Sequence, residues 1–104
     1  MLLDYKIKQL PHGTLYKFYW YDLAVKTGFN PKDISDYIEV YSGQVKKKKT
    51  IEDTLEELFM LFNLNHPKDY KSHSLSVSDI IELDGINYFV DGCGFKPLME
   101  VEKC

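Results

Sequence analysis

The dipeptide Asp84-Gly85 stands between two apolar runs, Val77 to Leu83 and Ile86 to Val90, and constrains this chain more than any other feature. A two-residue link of this kind needs positive φ at both positions, which Asp tolerates and Gly adopts freely, so it predicts a type I′ turn and an antiparallel hairpin. An isolated hairpin is marginal in water and needs further strands or a helix against it. Leu3, Tyr5 and Ile7 alternate with Asp4, Lys6 and Lys8, a period of two that predicts a strand with one wet face, ended by Pro11 and Gly13. Tyr37 to Tyr41 is rich in strand-favouring side chains and predicts a second strand. Phe95 to Val101 predicts a last one, and Pro97, which cannot donate to a ladder, places it at a sheet edge.

Two segments change period. Ile51, Leu55, Leu58, Phe59 and Phe62 fall on one stripe, with Glu52, Asp53, Glu56 and Glu57 opposite, which predicts an amphipathic helix from Ile51 to Phe62. Thr50 with Asp53 resembles a capping box that uses the shorter acid. Tyr16, Trp20, Leu23 and Ala24 recur at helical spacing, and Lys26 and Gly28 form a stop, so Leu15 to Thr27 reads as a helix whose aromatic start leaves a strand open there. Asn30-Pro31-Lys32-Asp33 reads as one short helical turn. The sum is a single α+β domain in the order β-α-β-α-β-β-β, with two helices packed on a mostly antiparallel sheet of about five strands.

Composition excludes several function classes. With 104 residues and 44% hydrophobic side chains the chain holds one real core and is not disordered. No apolar run approaches the roughly 20 residues that a bilayer requires, and Asp4, Lys6 and Lys8 interrupt any signal-peptide core, so the expectation is a soluble cytoplasmic protein with no membrane partner. The formal charge is -3, the wrong sign for neutralising many phosphates, and all 13 basic residues are Lys, so duplex DNA is not an expected ligand. Lys46 to Lys49 reads as a solvated loop between a strand and a helix. Cys93 and Cys104 are too few for a four-sulfur zinc site or a disulfide scaffold, and Cys93, between two glycines, reads as a small packing residue.

Two places hold candidate chemistry. The first is the acidic helix face of Glu52, Asp53, Glu56 and Glu57, read either as stabilisation and solubility or as a partner-binding surface that imitates a phosphate backbone. The second is the loop from His66 to Asp79, which carries His66, Asp69, His73, Ser76, Ser78 and Asp79. Its histidines are seven residues apart without metal-ligand spacing, and no serine sits in a G-x-S-x-G turn, so neither a metal nor a serine nucleophile is expected. If the strand already runs from Leu75, Asp79 lies on a face with Leu75, Val77, Ile81 and Leu83 and needs donors there. Backbone N–H groups or His73 would supply them, making Asp79 a latch between loop and sheet.

The run His73-Ser74-Leu75-Ser76-Val77-Ser78-Asp79, the Asp84-Gly85 turn, Tyr88-Phe89-Val90-Asp91 and Gly94-Phe95 resemble the YodL-like domain found in proteins of bacterial conjugative elements and phages. Tyr5 to Leu10, Tyr21-Asp22-Leu23, Tyr37 to Gly43, Phe62-Asn63, Asn65-His66-Pro67 and Asp69-Tyr70 fit the same pattern, while Gly92-Cys93-Gly94 departs from it. The resemblance implies a protein that helps a mobile element survive in its host, a setting that includes small acidic anti-CRISPR proteins directed at the type II effector nuclease. The expected function is accordingly a non-enzymatic inhibitor, without cofactor, that binds this nuclease or its guide-RNA complex, or blocks its loading with guide RNA, through the acidic helix face. The alternatives are a guide-RNA-cleaving ribonuclease using His73 with Asp69 or Asp79, and a non-inhibitory interaction module of a conjugation apparatus.

Overall fold

A computed structural model describes residues 1–92 and 94–98. Cys93, Cys104 and residues 99–101 of the expected last strand lie outside the described residues. Five strands, β1 (Leu2–Gln9), β2 (Ile38–Lys46), β3 (Ile80–Leu83), β4 (Ile86–Asp91) and β5 (Gly94–Pro97), form one antiparallel sheet in the order β2-β1-β3-β4-β5. Two helices, α1 (Tyr21–Lys26) and α2 (Ile51–Leu64), complete the α+β fold in the β-α-β-α-β-β-β order read from the sequence. No helix among the described residues is long and apolar enough to cross a membrane.

The hairpin forms as its turn chemistry dictates, with Asp84 at φ 52° and Gly85 at φ 85°, and it pairs Leu83 with Ile86. Alternation along its strands sends neighbouring side chains to opposite faces, and each face has its own apolar cluster. Ile81, Leu83 and Val90 join Leu3, Tyr5, Ile7 and Val45 beneath Leu55, Leu58 and Phe62 of α2. Ile80 and Phe89 join Ala24 of α1, Phe29 and Leu98 on the other side. The second face is covered at only one end; beyond it a charged ladder meets solvent, in which Lys8 reaches Glu82 at 2.7 Å and Asn87 at 3.0 Å.

Helix α2 starts where the sequence places it, because the Thr50 hydroxyl accepts the Asp53 N–H at 3.0 Å, and it runs to Leu64. Leu55, Leu58 and Phe62 are buried, while Phe59 is half-buried with its ring 6.2 Å from that of Phe95. Strand β2 is longer than expected, continuing beyond Tyr41 through Gly43 to Lys46 because β1 offers it partners as far as Leu2. Gly43 faces Tyr5, and a Cβ at that position would stand 2.9 Å from the Tyr5 hydroxyl. Of the lysine run, Lys46 ends β2 because Leu2 pairs with it, and only Lys47 to Lys49 form the exposed loop expected over Lys46 to Lys49. Pro97 lies in the edge strand β5.

Two boundaries differ from the sequence reading. The helix expected over Leu15 to Thr27 is confined to Tyr21–Lys26. Residues 15–18 form tight turns instead: Phe18 lies at φ 73°, its N–H donates to the Ser78 hydroxyl at 2.8 Å, and Trp20 is extended. Long-range hydrogen bonding there overrides a local helical pattern. The strand expected from Val77 begins at Ile80, because the Asp79 N–H closes a turn onto the Ser76 carbonyl at 3.0 Å and Ser78 takes φ 83°.

Candidate functional site

The residues that most resemble a built site converge where β1 ends beside β3. Alternation along β1 carries Gln9 to the same face as Leu3, Tyr5 and Ile7, so an amide enters a position otherwise given to apolar groups. Its Nε2 lies 3.0 Å from Asp79 Oδ2, 3.1 Å from the Tyr70 hydroxyl and 3.1 Å from the His73 carbonyl. Its Oε1 accepts the Ser72 hydroxyl. One side chain thus ties the loop between α2 and β3 to the sheet.

Asp79 is fully buried. Its Oδ2 accepts the Ser76 N–H at 2.8 Å as well as Gln9, while its Oδ1 has no partner among the described residues. Burial, opposed by the hydrogen bonds from Ser76 and Gln9 and by the charge of Lys17, pushes its pKa up to about 7. Asp79 therefore joins loop to sheet, but from within a turn rather than from the strand face expected, and its side-chain donor is Gln9 rather than His73. Ser78 beside it uses every polar group: its N–H donates to the Val90 carbonyl at 2.9 Å, its hydroxyl accepts Phe18, and its carbonyl accepts the Tyr37 hydroxyl at 2.6 Å. Burial, with the nearby Asp79 and Tyr16, raises the Tyr37 pKa far above its ordinary value.

His73 faces another buried ionisable group. Its Nε2 is 3.2 Å from Lys17 Nζ and its Nδ1 is 2.7 Å from the Ser74 carbonyl. Lys17 carries only donors, so Nε2 must accept and the ring proton is assigned to Nδ1, pointing at Ser74. Lys17 also donates to the Leu10 carbonyl. His73, Ser76, Ser78 and Asp79 therefore cluster with Gln9, Lys17, Tyr70 and Ser72. The other two loop candidates stand apart: Asp69 is exposed and accepts the Tyr41 hydroxyl at 2.9 Å, and His66 is exposed with Nδ1 2.9 Å from the Pro67 carbonyl. Among the described residues His73 makes no hydrogen bond to Asp69 or Asp79, and no three His, Cys, Asp or Glu side chains gather as a metal ion would require.

Of the residues that sequence reasoning missed, Gln9 carried a signal, being a polar side chain at an inward position of the β1 alternation. Lys17 carried none, since its segment read as helix.

The second candidate surface is the outer face of α2. Glu52, Asp53, Glu56 and Glu57 are all exposed there, and one of them is ion-paired among the described residues, Glu57 with Lys48 at 3.1 Å. A shallow depression of about 490 Å³ runs along this face, lined by Lys48, Asp53, Glu56, Glu57, Met60 and Leu61. Met60 is 54% and Leu64 77% exposed, so apolar surface continues the acidic face toward the helix C-terminus.

No curated protein and no solved structure matches this chain. The model of the YodL-like domain matches residues 4–101. With a match that spans β1 through β5 and all that lies between them, the chain belongs to the YodL-like domain family.

Proposed function

We propose that this protein is a non-enzymatic binding module, and that it inhibits a host enzyme that handles nucleic acid by occupying that enzyme's basic surface with the outer face of α2. The observation that carries this reading is the arrangement of four exposed carboxylates on one face of a helix whose opposite face is committed to the core. Three of the four have no ion-pair partner among the described residues, so their field is directed outward. The adjoining Met60, Leu61 and Leu64 supply the apolar contact that a protein interface needs and a merely solvated face does not. In its specific form the partner is the type II CRISPR effector nuclease or its guide-RNA complex, a reading that rests on the mobile-element setting the family resemblance implies.

The test uses the purified effector nuclease, with and without guide RNA. The expected result is binding to one of these forms and inhibition of cleavage, both weakened as salt rises. Replacing Glu52, Asp53, Glu56 and Glu57 together by Gln or Asn should lower affinity by at least about tenfold while the protein stays folded. Undiminished inhibition by that variant overturns the α2 interface, and absence of binding overturns the partner. Shortened guide RNA would instead favour the ribonuclease reading, and binding to a conjugation protein without inhibition would favour the interaction-module reading.

A further inference from the structure

A cleft of about 180 Å³ opens beside the Gln9 cluster, and nothing in the α2 reading uses it. Its polar lining is His12, Lys17, Ser72 and His73 with the edge of Gln9, and Ile38 and Val40 give it an apolar wall. No Asp or Glu lines it, in a chain whose formal charge is -3. Lys17 is 9% exposed, and no carboxylate comes within 4.0 Å of its ammonium among the described residues. A buried cation of this kind is costly unless it is compensated. Two of its three N–H groups are used, by the Leu10 carbonyl and by His73 Nε2, and the Phe18 ring lies 5.2 Å away. The third N–H remains for a ligand.

We propose that this cleft is a binding site for a small phosphate-bearing ligand, whose oxyanion contacts Lys17 and whose remainder packs against Ile38 and Val40. Lysine suits phosphate as a compact point charge, and an ammonium held by two acceptors is already oriented and partly desolvated. His12 lines the same cleft and can donate to a further phosphate oxygen. Asp79 compensates Lys17 only partly, because burial raises its pKa to about 7 and its carboxyl therefore carries a charge only part of the time near neutral pH. The cleft is smaller than the roughly 300 to 1,000 Å³ of a drug-sized pocket, which limits the ligand to one phosphate group and a modest substituent. Free phosphate and the phosphate of a nucleoside monophosphate share this chemistry.

The test is a titration of the whole protein with inorganic phosphate and, separately, with adenosine 5′-monophosphate, followed by amide chemical shifts. Saturable shifts should appear at Leu10, His12, Lys17 and His73 at about millimolar concentrations or below. Tighter binding of the nucleotide assigns the site to a phosphate ester, and equal binding assigns it to free phosphate. Lys17→Gln should abolish the shifts while the spectrum stays dispersed. If that variant does not fold, the exposed His12→Ala decides instead, with an expected loss of a few-fold in affinity. No saturable shift in the native protein up to about 50 mM of either ligand overturns the proposal, as does unchanged affinity in folded Lys17→Gln or, where that fails to fold, in His12→Ala.

Discussion

The Gln9 amide lies 3.0 Å from the Asp79 carboxylate, joining residues 70 positions apart in the chain. The contact exists because β1 pairs antiparallel with β3, with Lys8 opposite Ile80, so the end of one strand meets the turn that starts the other. Gln9 also holds Tyr70, Ser72 and the His73 carbonyl, which makes it the point where the loop after α2 is fastened.

Gln9→Leu should therefore destabilise the protein more than its similar volume would indicate. It leaves Asp79 with the Ser76 N–H alone and strips a partner from the Ser72 hydroxyl, so a loss of about 1 to 3 kcal/mol is expected. Urea titration measures it, and a shift below about 0.5 kcal/mol would show that water replaces the amide.

Stability should rise as pH falls from about 7 toward 4 through the contribution of Asp79. Its folded pKa of about 7 stands above the ordinary 3.8, so in this window the native state holds a proton that the unfolded state releases. The contribution is full below the unfolded value and is lost as pH rises through the folded one. Between pH 8 and pH 5 the native protein should gain on the order of 2 kcal/mol relative to Asp79→Asn, which lacks the titration. Parallel curves for the two proteins would contradict the buried-carboxyl assignment.

Gly43→Ala should destabilise by about 1 to 3 kcal/mol, the usual range for overpacking a filled site. The added Cβ would meet the hydroxyl of Tyr5 at 2.9 Å, and Tyr5 is itself held among Tyr41 and Phe62. Combining it with Tyr5→Leu should recover part of the loss in thermal melts, since the clash is with that one side chain.

Leu58→Ala removes a fully buried side chain from the seam between α2 and the sheet. A loss of about 2 to 5 kcal/mol is expected from the lost burial and the cavity left behind. The quadruple acidic variant should change stability far less, since its side chains face solvent. Comparable losses in the two proteins by chemical denaturation would show that the outer face of α2 is packed rather than free.

The elements legible in the sequence are those governed by a few adjacent residues. Asp84-Gly85 sets its own dihedrals, the Thr50 cap needs only Asp53 three positions on, and the α2 stripe repeats within one helix. The acidic face of α2 was readable for the same reason, because fixing which residues face the core fixes which face water.

The short α1, the turn at Asp79 and the cluster around Gln9 were decided by the tertiary structure. Helical spacing from Leu15 onward gives way at Phe18 because Ser78, 60 residues later, offers its backbone N–H an acceptor. Lys17 and His73 meet across 56 positions, and Gln9 and Asp79 across 70. Periodicity and turn propensity reach only a few residues along the chain, whereas these contacts depend on strand register and on burial, which make an unpaired polar group expensive and so select the partner that satisfies it.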